Sequence, residues 1–162
     1  MIFGLTPLGV VHTLISLVAV AAGLIAFFRD KQITPTNLTG RIYIWTTVLT
    51  CLTGFGIFQH GGFGKPHVLG IVTLLVLVLA AVAARGTLFG RASAAVAMVS
   101  YSATFFFHMI PGVTETSTRL PLGKPLLASP EDPALVAASG VLFVLFLIGA
   151  VWQVRRLKPA LA

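Results

Sequence analysis

Acidic side chains are almost missing: the 162-residue chain has four, against eleven lysines and arginines, and all charged residues together make up 9%. An ordinary soluble domain carries roughly 25%. So few charges cannot cover the surface of a water-soluble fold. Cysteine is scarcer still. The single Cys51 lies inside an apolar run, so no intramolecular disulfide can form, the redox compartment goes unreported, and an inert core thiol is expected. Phosphate loops are absent too. Gly54-Phe55-Gly56 and Gly61-Gly62-Phe63-Gly64 follow no strand and precede no Gly-Lys-Ser or Gly-Lys-Thr, so they read as shaping a tight hairpin. No serine or cysteine is paired in sequence with a neighbouring base, and no catalytic residue is assigned.

What the chain has is hydrocarbon. Hydrophobic residues are 57% of it, the mean hydropathy is +0.99 and the pI is near 10.6. The net charge of +7 would suggest nucleic acid in a soluble domain. Here the basic residues sit between apolar runs, as topology signals and lipid headgroup contacts. The expected partner is membrane lipid, with no nucleic acid.

A hydrocarbon core of about 30 Å takes roughly 20 apolar residues of helix. Five runs meet this, over about 7–28, 42–60, 67–84, 92–110 and 134–154, with an external loop at 111–133. All fifteen charged residues fall outside these runs or at their edges. Basic residues then divide unequally. Arg29, Lys31, Arg41, Arg85, Arg91, Arg155, Arg156 and Lys158 share one side; Lys65, Arg119 and Lys124 share the other. The richer side is cytoplasmic. The expectation is an all-α integral membrane protein, a single transmembrane domain of residues 1–162. It is a five-helix bundle with its N-terminus outside and its C-terminus in the cytoplasm. Tyr43, Trp45 and Trp152 would lie near the cytoplasmic interface. The first run lacks a basic lead-in and reads as a retained span. The 111–133 segment, rich in proline and carrying Glu115, Glu131 and Asp132, reads as a loop that caps the bundle.

This topology puts all four histidines on the external side. His12 lies one and a half turns into the first run, His60 ends the second, His67 starts the third and His108 is a turn from the end of the fourth. Ionisable groups at membrane depth are costly and usually face the bundle interior. For any one histidine the ordinary role is an interfacial hydrogen-bonded side chain. His60 and His67 could simply satisfy helix ends beside a glycine turn. Jointly, four imidazoles at one level suggest a transition-metal site for Cu, Zn or Fe, or haem b. Polar stripes support this: Thr46, Thr53 and His60 recur at seven-residue intervals, and Tyr101, Thr104 and His108 share a face. Tyr101 and Thr104 would line the approach to the cofactor. No carboxylate lies inside a run, which disfavours a di-iron centre. Glu115 could orient an imidazole. Two haems stacked across the membrane would need histidines near both faces, and none lies near the cytoplasmic one.

Gly40-Arg41-Ile42-Tyr43, the Thr50-Cys51-Leu52-Thr53-Gly54-Phe55 stretch and Gly61-Gly62-Phe63-Gly64-Lys65-Pro66-His67 resemble a bacterial family of small multi-pass membrane proteins without assigned function. The resemblance covers about the first half of the chain, from His12 to His67. It implies a bacterial inner-membrane protein and matches the positions of His12 and His67. It implies no activity. The function expected from the residues is a membrane-embedded metal- or haem-binding protein with a histidine cluster of His12, His60, His67 and His108, serving redox or electron transfer. The alternative is a non-catalytic accessory or assembly subunit of a larger membrane complex, paired with another membrane protein or with its own copies. A small transporter is a weaker reading, because no ionisable residue continues toward the cytoplasmic half.

Overall fold

The computed structural model describes residues 5–58, 62–86 and 88–157. Among these residues five α-helices follow one another: α1 (Pro7–Asp30), α2 (Leu38–Gly54), α3 (Lys65–Ala84), α4 (Ser93–Arg119) and α5 (Pro133–Leu157), with one 3-10 turn, Gly90–Ala92, before α4. No strand occurs among the described residues. Four of the helices, α1, α3, α4 and α5, are long and apolar enough to cross a membrane.

Local chemistry sets the helix ends. Thr6 Oγ1 accepts the Gly9 N–H at 3.1 Å and starts α1, with Pro7 in the first turn where its missing N–H costs nothing. Asn37 Oδ1 accepts the Gly40 N–H at 2.8 Å and starts α2. Lys31 closes α1 in the left-handed region at φ 62°, and its ammonium donates to the Phe28 carbonyl at 2.7 Å, a cation on the carbonyl end of the helix dipole. Asp132 Oδ1 accepts the Ala134 N–H at 2.9 Å at the head of α5.

Two segments differ from the sequence expectation. α2 is shifted, running 38–54 where 42–60 was expected. The Asn37 cap begins it a turn early, and Gly54-Phe55-Gly56 ends it, with the Phe55 N–H closing on the Cys51 carbonyl at 3.2 Å. At 17 residues it is about 26 Å long, so the second run is not among the helices of spanning length. α4, in contrast, does not stop at Ile110. It continues through Pro111 to Arg119, and the connection to α5 is correspondingly shorter than the 111–133 loop expected. Proline removes one backbone bond inside a helix. Beyond it the turns are held by Thr114 and Thr118, whose hydroxyls donate to the carbonyls of Ile110 (2.9 Å) and Thr114 (2.8 Å). Glu115 and Arg119 form an ion pair one turn apart on the same stretch.

The helices pack as two antiparallel hairpins, α1 on α2 and α3 on α4, with α5 against α4. α4 is the central element and also reaches α1. Ala19, Ala22, Ala26, Ile33, Tyr43, Leu77, Ala80 and Tyr101 form the buried core. Small residues on α1 make room for large ones opposite. A Cβ on Gly23 would stand 2.5 Å from Phe105 Cδ2, closer than carbon atoms can approach, and in a tight 3.1 Å contact with Tyr43 Cδ2. Tyr43 has no exposed surface. It belongs to the core and faces no lipid, unlike Trp45 and Trp152, which are exposed.

Candidate functional site

The polar atoms inside the bundle pair across helices. On α2, Thr47 Oγ1 donates to the Tyr43 carbonyl at 2.8 Å, which leaves its lone pairs to accept from His108 Nε2 on α4 at 3.1 Å. On α4, Thr104 Oγ1 donates to the Tyr101 carbonyl at 2.8 Å and accepts the Tyr43 hydroxyl at 2.8 Å. Thr47 and Thr104 are both fully buried. The two ties join positions 61 apart, so α2 and α4 run parallel. The Tyr43 and His108 rings also meet edge to face, 6.0 Å between centroids.

His12 repeats the device at the other helix pair. Its Nδ1 lies 3.0 Å from Thr53 Oγ1, and that hydroxyl already donates to the Leu49 carbonyl at 2.8 Å, so the imidazole N–H donates to it. Gly54 makes the seat: a Cβ there would lie 3.2 Å from His12 Cε1. In both cases a threonine satisfies its own proton within its helix and offers a pure acceptor to a histidine of the neighbour.

His67 does something else. Its Nδ1 accepts the Gly64 N–H at 3.2 Å and closes the first turn of α3, and its ring stacks on Phe58 and Phe63, each at 5.1 Å between centroids. That bond fixes the proton on Nε2, which is buried without a partner among the described residues. His67 is thus a helix-end cap held between two phenylalanines. His60 lies outside the described residues.

The expectation of a shared metal or haem site is therefore corrected. Among the described residues no group of three or more His, Cys, Asp or Glu side chains is arranged to hold a metal ion. The physical reason is visible in the bonds. Each of the three described histidines is turned by a different local acceptor or donor, and the carboxylate that was to orient an imidazole, Glu115, pairs with Arg119. Tyr101, expected on the approach to a cofactor, is in the buried core, and Thr104 faces Tyr43.

Sequence reasoning missed two elements of this network. Tyr43, Thr47, Thr50 and Gly54 lie at i, i+4, i+7 and i+11, a helical stripe as regular as the Thr46–Thr53 one. Thr46 instead bonds its own helix, donating to the Ile42 carbonyl at 2.7 Å. Gln153 on α5 was also overlooked. It is buried, accepts from Ser102 Oγ on α4 at 2.9 Å, and donates to the Lys31 carbonyl at 2.9 Å. Beside it a groove of about 340 Å³ opens between α4 and α5. Hydrocarbon from Phe106, Met109, Leu142 and Phe146 lines its length, with Lys31 and Trp152 at one end.

No protein-family model, no curated protein and no solved structure matches this chain.

Proposed function

We propose that the chain is a five-span integral membrane protein of the bacterial inner membrane that works by packing against other membrane-embedded helices, as a non-catalytic subunit paired with another protein or with its own copy. One observation carries this reading. α5 rests on α4 alone among the helices, and its outer side exposes Val136 (73%), Val141 (61%), Val144 (53%), Ile148 (61%) and Val151 (53%) along its whole length. Exposed Gly140 lies in that surface with nothing within 4 Å of a Cβ placed there. Lipid needs no such flat position, whereas a neighbouring helix approaches closest where side chains are small.

The polar groups fit the same role. Histidine and threonine at membrane depth hold helix to helix here, as interhelical hydrogen bonds do in lipid. The orientation follows from charge: the eight-to-three excess of lysine and arginine puts the α1–α2 and α3–α4 connections and the C-terminus in the cytoplasm. α2, short as it is, lies parallel to α4 at a matching depth and counts as the fifth span.

Two labels test this. In a Cys51→Ala background, Thr36→Cys should react only from the cytoplasmic side and Ala128→Cys only from outside; reaction of both from one side rejects the topology. A photo-crosslinking residue at Val144, in native membranes, should give a discrete protein adduct. Adducts to lipid alone would reject the subunit role and leave the topology standing.

A further inference from the structure

The groove between α4 and α5 has walls of hydrocarbon and a floor whose polar groups bond to protein neighbours. Ser102 donates to Gln153, and Gln153 donates to the Lys31 carbonyl, both at 2.9 Å. Apart from Ser102 and Gln153, the side chains that line its interior are hydrocarbon. One end differs. Lys31 is exposed there, with one ammonium proton on the Phe28 carbonyl and two others to give. The Arg156 guanidinium lies over the Trp152 ring, 4.7 Å from its centroid. The nearest carboxylate does not cancel these charges. Asp30 is taken by Arg29 at 2.9 and 2.8 Å and by Asn37 at 2.9 Å.

We infer that this groove is a site for an anionic glycerophospholipid, with one acyl chain laid along Phe106, Leu142, Phe146 and Gly149 and the phosphate at Lys31 and Arg156. A single chain suits about 340 Å³, the lower part of the roughly 300–1,000 Å³ range of small-molecule sites. A second helix, roughly 10 Å across, is too wide for it. A zwitterionic lipid would fill the groove without using the two cations, and basic pockets between spans at the cytoplasmic end favour anionic headgroups. The inference rests on the membrane-spanning reading and is independent of whether α5 also meets a partner.

Trp152 lines the groove and reports on it once the other tryptophan is removed by Trp45→Phe. The full chain is placed in phosphatidylcholine vesicles containing a minor share of lipid with a brominated acyl chain, carried either by phosphatidylglycerol or by phosphatidylcholine. Bromine quenches the indole on contact. Phosphatidylglycerol should quench at far lower content, and Lys31→Asn and Arg156→Gln should each weaken that preference roughly fivefold. Gly149→Leu, where an added Cβ meets open space, should fill the groove and abolish the preference while the fold persists. Equal quenching by the two lipids would overturn the site, leaving only a lipid annulus. So would a preference that survives Gly149→Leu, or loss of quenching through a crosslinkable second copy. Protein that fails to float with the vesicles would reject the membrane reading itself.

Discussion

Thr47 shows how much one side chain does here. It has no exposed surface, gives its proton to its own helix and accepts from His108. Thr47→Val keeps the shape and deletes the acceptor, so His108 is left with a buried N–H and no partner. An orphaned buried donor costs about 1–3 kcal/mol, and interhelical bonds in bilayers run about 0.6–1.7 kcal/mol. The expected loss is about 1–2 kcal/mol, read from unfolding in mixed detergent. Thr53→Val at the half-buried His12 should cost less, under about 1 kcal/mol, because water or headgroups reach that imidazole. Thr47→Val with undiminished stability would mean that His108 is not held by this bond. The histidines were legible in the sequence as special, since imidazole is rare at membrane depth. The helix-end role of His67 was legible too, from the glycine turn beside it; the partners of His12 and His108 were not. Which threonine each meets depends on the register between helices, and two stripes on α2 compete in the sequence: Thr46–Thr53 and Tyr43–Thr47–Thr50–Gly54. Packing uses one threonine from each, Thr53 for His12 and Thr47 for His108.

At the level of elements, the entry into α2 is the least forgiving junction. A Cβ on Gly40 would stand 1.8 Å from the Thr34 carbonyl oxygen and 2.8 Å from its carbon. These are backbone atoms, so no rotamer change relieves the overlap. Gly40→Ala must displace the 31–37 connection, together with buried Ile33 and the Asn37 cap. A loss of about 3 kcal/mol or outright misfolding is expected, since overpacking alone costs typically 1–3 kcal/mol. The same change at Gly140 should alter the thermal midpoint little. Equal tolerance at both positions would disprove the close approach. The existence of every helix was readable from apolar runs, because hydrocarbon patterning is strong in a chain with 9% charge. Their ends were less so. Pro111-Gly112 looks like a stop signal, yet the threonines and the Glu115–Arg119 pair carry α4 onward. Asn37 looked like part of a loop and is a cap.

Across the whole molecule, burial is uneven. In its most apolar stretch α4 is 44% buried and α5 only 11%. The sequence could not announce this difference, because α5 is apolar nearly all round, Gln153 aside, and carries no polar face to mark the outside. What fastens α5 is local: the Phe106 contacts to Phe143 and Phe146, at 5.8 and 5.6 Å, and the Gln153 bonds to Ser102 and Lys31. A helix attached to one neighbour can be detached as a unit. The chain cut in the connection before α5 should therefore reassemble, with residues 1–128 and 129–162 produced as separate polypeptides and recovered together. Gln153→Leu should lower that recovery roughly fivefold, the worth of about 1 kcal/mol of hydrogen bonding. Complementation of this kind makes α5 an exchangeable part: its inward-facing glutamine specifies where it seats, while its outer surface can be matched to a partner without disturbing the four helices that carry the core.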